Sequence, residues 1–161
     1  RRYGSAFQLF FPEKPMSLHG TYDPQNIFAQ IIRGDMPCYK LYEDDDVLAF
    51  LDVFPQSSGH TLVVSKKAAA RNILDIDADN LCKVMRVVQQ LTRVLVEELQ
   101  PEGVQVVQFN GAPAGQTVFH LHMHIVPRYA GQGLGMHASS KADPAELEQL
   151  QARLVKRINR H

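Results

Sequence analysis

Cysteine is scarce in this chain. Cys38 and Cys82 are its only two thiols. They lie far apart and form no C-x-x-C pair, so a disulfide framework is excluded and a reducing, cytoplasmic setting is expected, with both thiols as small core residues. An excess of one charge is lacking too, since 17 basic side chains balance 17 acidic ones. That balance argues against an electrostatic grip on nucleic acid or an anionic membrane, leaving at most a local basic patch. No apolar run approaches the roughly 18–20 residues that span a bilayer. Neither G-x-G-x-x-G nor a P-loop occurs, so nucleotide binding by those two devices is unsupported. A leading methionine is also missing. Residues 1–15, RRYGSAFQLFFPEKP, hold only a short apolar stretch ending in Pro-Glu-Lys-Pro, unlike a signal peptide. They are read as a non-native or disordered extension ahead of a start at Met16; the competing reading is an arm docked through Phe7, Phe10 and Phe11.

What is present reads as alternating short elements. In NIFAQIIRGD, Ile27, Phe28, Ile31 and Ile32 share one helical face and Gly34 supplies the stop. CYKLYE and VLAFLDVF form a hairpin around Asp44-Asp45-Asp46, and TLVVS is a further strand. The longest helix is predicted from about Asp77 to Leu99, with Leu81, Val84, Met85, Val88, Leu91, Leu95 and Leu99 as its apolar stripe. VQVVQFN is a strand, AGQGLG a flexible loop. In the closing helix Asp143 caps, Pro144 opens the first turn and Glu146 completes a capping box, while Leu147, Leu150, Leu154 and Ile158 form a docking stripe. Hairpins in place of regular βαβ alternation predict an α+β domain on an antiparallel sheet.

The chemistry concentrates in FHLHMHIVPR, where His120, His122 and His124 occupy alternate positions. On a strand they share one face, about 6.5–7 Å apart, while Leu121, Met123 and Ile125 point into the core. Each ring has two nitrogens to satisfy, which makes three of them poor core material. One reading is a metal site. Three histidines in a row do not easily converge on one ion, and no acidic or thiolate residue lies between Asn110 and Arg128. The other is nucleophilic catalysis, in which a neutral imidazole attacks phosphorus and its neighbours bind phosphate or manage protons. The preceding loop, NGAPAGQTVFH, favours the second: small residues let backbone N–H groups approach an anion.

With those motifs, residues 26–130 resemble the histidine triad family of nucleotide hydrolases and transferases. NIFAQIIRGDMPCYKLYEDDDVLAFLDVFPQSSGHTLVVSKK resembles its amino-terminal half and FNGAPAGQTVFHLHMHIVPR its signature half. The third histidine, where a glutamine would suggest nucleotidyl transfer, points to the histidine triad nucleotide-binding branch in a bacterial style. The resemblance implies a five-stranded antiparallel sheet with helices and a homodimer with a continuous sheet. A domain over 16–140 would be followed by a helical tail over 141–161. It implies His122 as nucleophile, His124 on the phosphate, and His120 and His60 in support. Asn110, Gly115, Gln116 and Thr117 would contact the phosphate or leaving group, Asp52 the ribose hydroxyls, and Ile27, Phe28, Phe50 and Val53 the base. His19, His137 and His161 are read as surface residues. The implied reaction is hydrolysis of a nucleoside 5′-phosphoramidate or related purine nucleotide to the monophosphate, without cofactor. Dinucleoside polyphosphate hydrolysis and nucleotide binding without turnover are the alternatives. Bacterial members often hold a structural zinc, but Asn26, Ala29 and Ala68 stand where its ligands would be, so no metal is expected. Activity is expected to fall below about pH 6–6.5, near the free imidazole pKa.

Overall fold

Residues 18–134 and 140–161 are described by the structure, a computed structural model. The extension, Met16 and His137 lie outside them.

Helix α1, Ile27–Arg33, starts where the Asn26 side chain accepts from the Ala29 N–H, and stops at Gly34, whose φ of 83° is the left-handed turn glycine takes without strain. Asn26 and Ala29 are thus joined as a helix cap. Strands β1 (Tyr39–Glu43) and β2 (Val47–Leu51) form the hairpin, its turn closed by Asp44 accepting from the Asp46 and Val47 N–H groups. Strand β3 (Thr61–Ser65), helix α2 (Ala78–Leu99), strands β4 (Gly103–Val107) and β5 (His122–Arg128) and helix α3 (Pro144–Ile158) follow. The five strands make one antiparallel sheet in the order β1-β2-β3-β5-β4, so the expected α+β architecture with a five-stranded sheet is observed.

Alternation along β2 and β3 divides the core. Val47, Ala49, Leu51 and Val63 face α2 and α3, whereas Leu48, Phe50, Leu62 and Val64 face α1 through Phe28. His122 and His124 pair with Val64 and Leu62 across β5–β3, so the register delivers both imidazoles to the smaller, α1-side layer. On the other layer α2 buries Val84, Val87, Val88, Leu91, Val94 and Leu95. Each contributes about 1.5–3 kcal/mol.

Three expectations are corrected. Met85 is 39 % exposed, while Val87 and Val94 are buried, because α2 packs on α3 as well as on the sheet and its apolar arc is rotated. Cys82 is exposed and Cys38 half-buried. Two residues from Val84, Cys82 faces the opposite side of the helix. Lastly, β5 begins at His122, so His120 precedes the strand: the Leu121 N–H leaves the sheet and donates to the Ala70 carbonyl at 2.8 Å.

Candidate active site

Two neighbouring strand ends and β5 build the site. Asp52 follows β2 and His60 precedes β3; the Asp52 N–H donates to the His60 carbonyl at 2.9 Å, closing the 52–60 loop. The Asp52 carboxylate then accepts from the Phe54 N–H, leaving its second oxygen 3.6 Å from His60 Nε2. Phe28 from α1 stands edge-on to His122, ring centroids 4.8 Å apart, and His122 lies equally close to His124.

Backbone contacts set the tautomers. The Gln56 N–H donates to His60 Nδ1 at 3.0 Å, so neutral His60 holds its proton on Nε2. That nitrogen lies 2.9 Å from His124 Nδ1, which accepts, leaving the His124 proton on Nε2. His122 Nδ1 lies 2.7 Å from the His120 carbonyl, which can only accept. The proton is on Nδ1, and Nε2 carries the lone pair. Burial is the chief reason that His60, His120 and His122 are all pushed down to about 4, with Arg128 and His122 charge adding to the effect on His60. All three are neutral near pH 7. Burial acts in the opposite sense on Asp52, raising it to about 6 against the opposing Phe54 N–H bond. With neutral His60 beside it, Asp52–His60 is not an ion pair at neutral pH.

A cavity of about 950 Å³ opens over this face. Ile27, Phe28, Phe50, Asp52, Val53, His60, Gly115, Thr117, His122 and His124 line it together. Asn110, Gln116 and His120 do not. The Asn110 side-chain oxygen accepts from the Ile73 N–H and from Gln108. Gln116 is 2 % exposed, takes the Gly111 N–H on its oxygen and gives its amide protons to the Arg71 and Val118 carbonyls. Both amides hold the loop in shape, and its contribution to the cavity is Gly115 and Thr117. Unanticipated wall residues come from outside the motif: Met36, Cys38 and Phe54, Leu147 in the first turns of α3, and Lys141 in the segment ahead of it, where the Ala142 N–H docks on the Val53 carbonyl. His161 is exposed, with Glu97 at 3.1 Å, and His19 is exposed as expected.

Asp52, His60 and His124 also bring three potential metal ligands within 4.8 Å of one another. The sequence hides this trio, because its carboxylate arrives from another strand. The donor set suits a metal poorly. Ligation through His60 Nε2 would move the ring proton to Nδ1, against the donating Gln56 N–H.

The model of the HIT domain matches residues 33–131, a stretch that holds Asp52, His60, His120, His122 and His124. The chain belongs to the HIT family. It is 39 % identical over 136 residues to the protein hit of Bacillus subtilis, covering 82 % of this chain and 93 % of that one. To the adenosine 5′-monophosphoramidase of Schizosaccharomyces pombe it is 36 % identical over 135 residues, covering 82 % and 97 %. To the adenylylsulfatase of Arabidopsis thaliana it is 33 % identical, covering 84 % and 68 %. Among solved structures, a Hit-like protein of Bartonella henselae superposes with a TM-score of 0.80 at 41 % identity, over 86 % of this chain and 99 % of that one. The five-stranded HIT sheet is common ground with such neighbours.

Proposed function

We propose that this HIT protein hydrolyses nucleoside 5′-phosphoramidates, or related purine nucleotides, through a covalent nucleotide on His122. One observation carries the proposal: the His120 carbonyl holds the proton of His122 on Nδ1, so the Nε2 lone pair is available to phosphorus beside Asp52 and Thr117. Nε2 bonds to the α-phosphorus as the P–N bond of the substrate breaks, and the amine leaves with a proton taken from water. Water then attacks phosphorus, the P–Nε2 bond breaks, and the borrowed proton is returned with the nucleoside monophosphate. His124 donates its Nε2–H to a phosphate oxygen, Asp52 accepts from the ribose hydroxyls, and Ile27, Phe28, Phe50 and Val53 flank the base. The phosphoramidase and sulfatase relatives support this reading.

The test is rapid quenching at alkaline pH, which preserves phosphorus–nitrogen bonds, followed by a search for nucleotide on His122. His122→Ala is expected to lose several orders of magnitude in turnover while still binding nucleotide. Turnover by that variant near the wild-type rate would replace the covalent scheme with direct attack by water. A dinucleoside polyphosphate assayed beside an adenosine phosphoramidate separates the two leaving-group classes, and inertness toward both would indicate a binding protein.

We also infer a homodimer joined through β4. At the other edge of the sheet α3 engages β1, Gln151 Nε2 donating to the Lys40 carbonyl at 2.9 Å. Strand β4 is the remaining edge, with Val106 exposed there and Val96 exposed on α2. Sedimentation should give twice the chain mass, and Val106→Lys should shift it toward the monomer.

A further inference from the structure

We propose that Tyr22 is a positioning residue for the nucleophile, acting through His120. Tyr22 lies ahead of α1 and outside the matched HIT domain, yet its hydroxyl is 2.7 Å from His120 Nδ1. On the other side of that ring, His120 Nε2 lies 3.3 Å from the Ser65 carbonyl. A carbonyl only accepts, so neutral His120 carries its proton on Nε2, and Tyr22 donates to the lone pair on Nδ1. The ring is pinned at both nitrogens. The peptide that follows it is pinned as well: the Leu121 N–H donates to the Ala70 carbonyl, while the His120 carbonyl of the same peptide unit receives His122 Nδ1–H. Orientation therefore passes from the Tyr22 hydroxyl to the His120 ring, to the 120–121 peptide, and to the tautomer and aim of His122.

The segment bearing Tyr22 is itself tied down. Arg71 Nη1 donates to the Thr21 carbonyl at 3.2 Å and Asn72 Nδ2 to the Leu18 carbonyl at 2.8 Å. Arg71 and Asn72 are both buried. The neighbouring carbonyls of Ala70 and Arg71 hold Leu121 and Gln116, so one short turn fastens the Tyr22 segment, the loop and the histidine stretch together. Phe substitution would keep the tilted ring contact between Tyr22 and His120, whose centroids are 5.7 Å apart, and delete the hydroxyl alone.

This inference rests on the hydrolase reading for its kinetics, so the experiment includes a readout that needs no turnover. Nitrogen-15 shifts of the histidine rings, in full-length protein at neutral pH, should place the His120 proton on Nε2 and the His122 proton on Nδ1. In Tyr22→Phe the His120 Nδ1 shift should move as its donor is lost, with a smaller displacement at His122. The kcat for an adenosine phosphoramidate should fall about tenfold, the scale of one buried hydrogen bond, with KM changed by less than about twofold. In a His120→Ala background the same substitution should have no further effect on kcat, because its route is gone. Unchanged ring shifts at His120 and His122 in Tyr22→Phe would overturn the proposal whether or not the protein hydrolyses nucleotides. So would an undiminished effect of Tyr22→Phe in the His120→Ala background, which would give Tyr22 some other route. If the wild type is inert but the two ring shifts respond, the positioning stands and the hydrolase reading fails alone.

Discussion

Asp52 and the histidines respond to burial in opposite directions, and this separates two pH effects that the free side chains would merge. Burial lowers His60, His120 and His122 to about 4 and raises Asp52 to about 6. On the proposed chemistry, the expected fall in activity below pH 6–6.5 is therefore not set by the His122 imidazole. The kcat should hold as pH drops through 6, with its own acid limb nearer 4. The kcat/KM for a ribonucleotide should decline below about 6, as free-enzyme Asp52 takes a proton and loses an acceptor. A kcat limb near 6.5 in pH–rate profiles would contradict the assignment. Asp52→Ala should weaken ribonucleotide binding by about 1.5–3 kcal/mol, the worth of a hydrogen bond to a charged group, and narrow the ribose-over-deoxyribose preference. Calorimetric titration with both sugars reads this directly, and an unchanged preference would remove Asp52 from the ribose site.

Loops set the geometry between elements, and two of them depend on single residues. Gly59 has φ of 94°, and a Cβ there would lie 2.5 Å from Leu99 Cδ1 and 3.2 Å from Pro127 Cγ. Gly59→Ala should therefore destabilise the fold by at least about 1–2 kcal/mol from the left-handed conformation alone. Since Gly59 adjoins His60, turnover should fall as well; denaturant melts and kinetics on one preparation test both. In the 110–117 loop, Gln116→Ala would strip partners from the Gly111 N–H and the Arg71 and Val118 carbonyls. The expected cost is about 1–3 kcal/mol. A rise in KM should accompany it as Gly115 and Thr117 lose their placement. Wild-type stability and KM in this variant would show that the amide is dispensable to the loop.

At the scale of the whole molecule, the buried histidines link stability to pH. Their folded values near 4 lie below the ordinary imidazole value of 6.5, so between those limits the unfolded chain binds more protons. Stability is then lost as pH falls from 6.5 toward 4, by up to on the order of 3 kcal/mol per histidine. Asp52 works the other way. Raised from 3.8 to about 6, it takes up a proton in the folded state first and returns part of that loss below pH 6. Three groups against one leave a net fall. Unfolding free energies at pH 7, 6 and 5 should decrease in that order, with net proton uptake on unfolding, and a flat profile would contradict the burial of His60, His120 and His122 in their neutral form.

Periodicity and residue chemistry by themselves determined the start and stop of α2 at Asp77 and Leu99, the Asp44–Asp46 hairpin, and the docking stripe of α3. They also singled out a histidine-rich stretch behind a small-residue loop. Each of these rests on contacts within one element or one turn, where spacing alone says which side chains share a face. Tertiary structure decided what meets that face. It brought Asp52 from β2 against His60 and His124, turned Gln116 inward onto Arg71, took His120 out of the strand through Ala70, and left Cys82 in water. It also set Tyr22 98 residues away in sequence against His120. Such pairings depend on strand register and on how helices cover the sheet. No local pattern encodes them, because the free energy that selects them is shared among many buried contacts across the core.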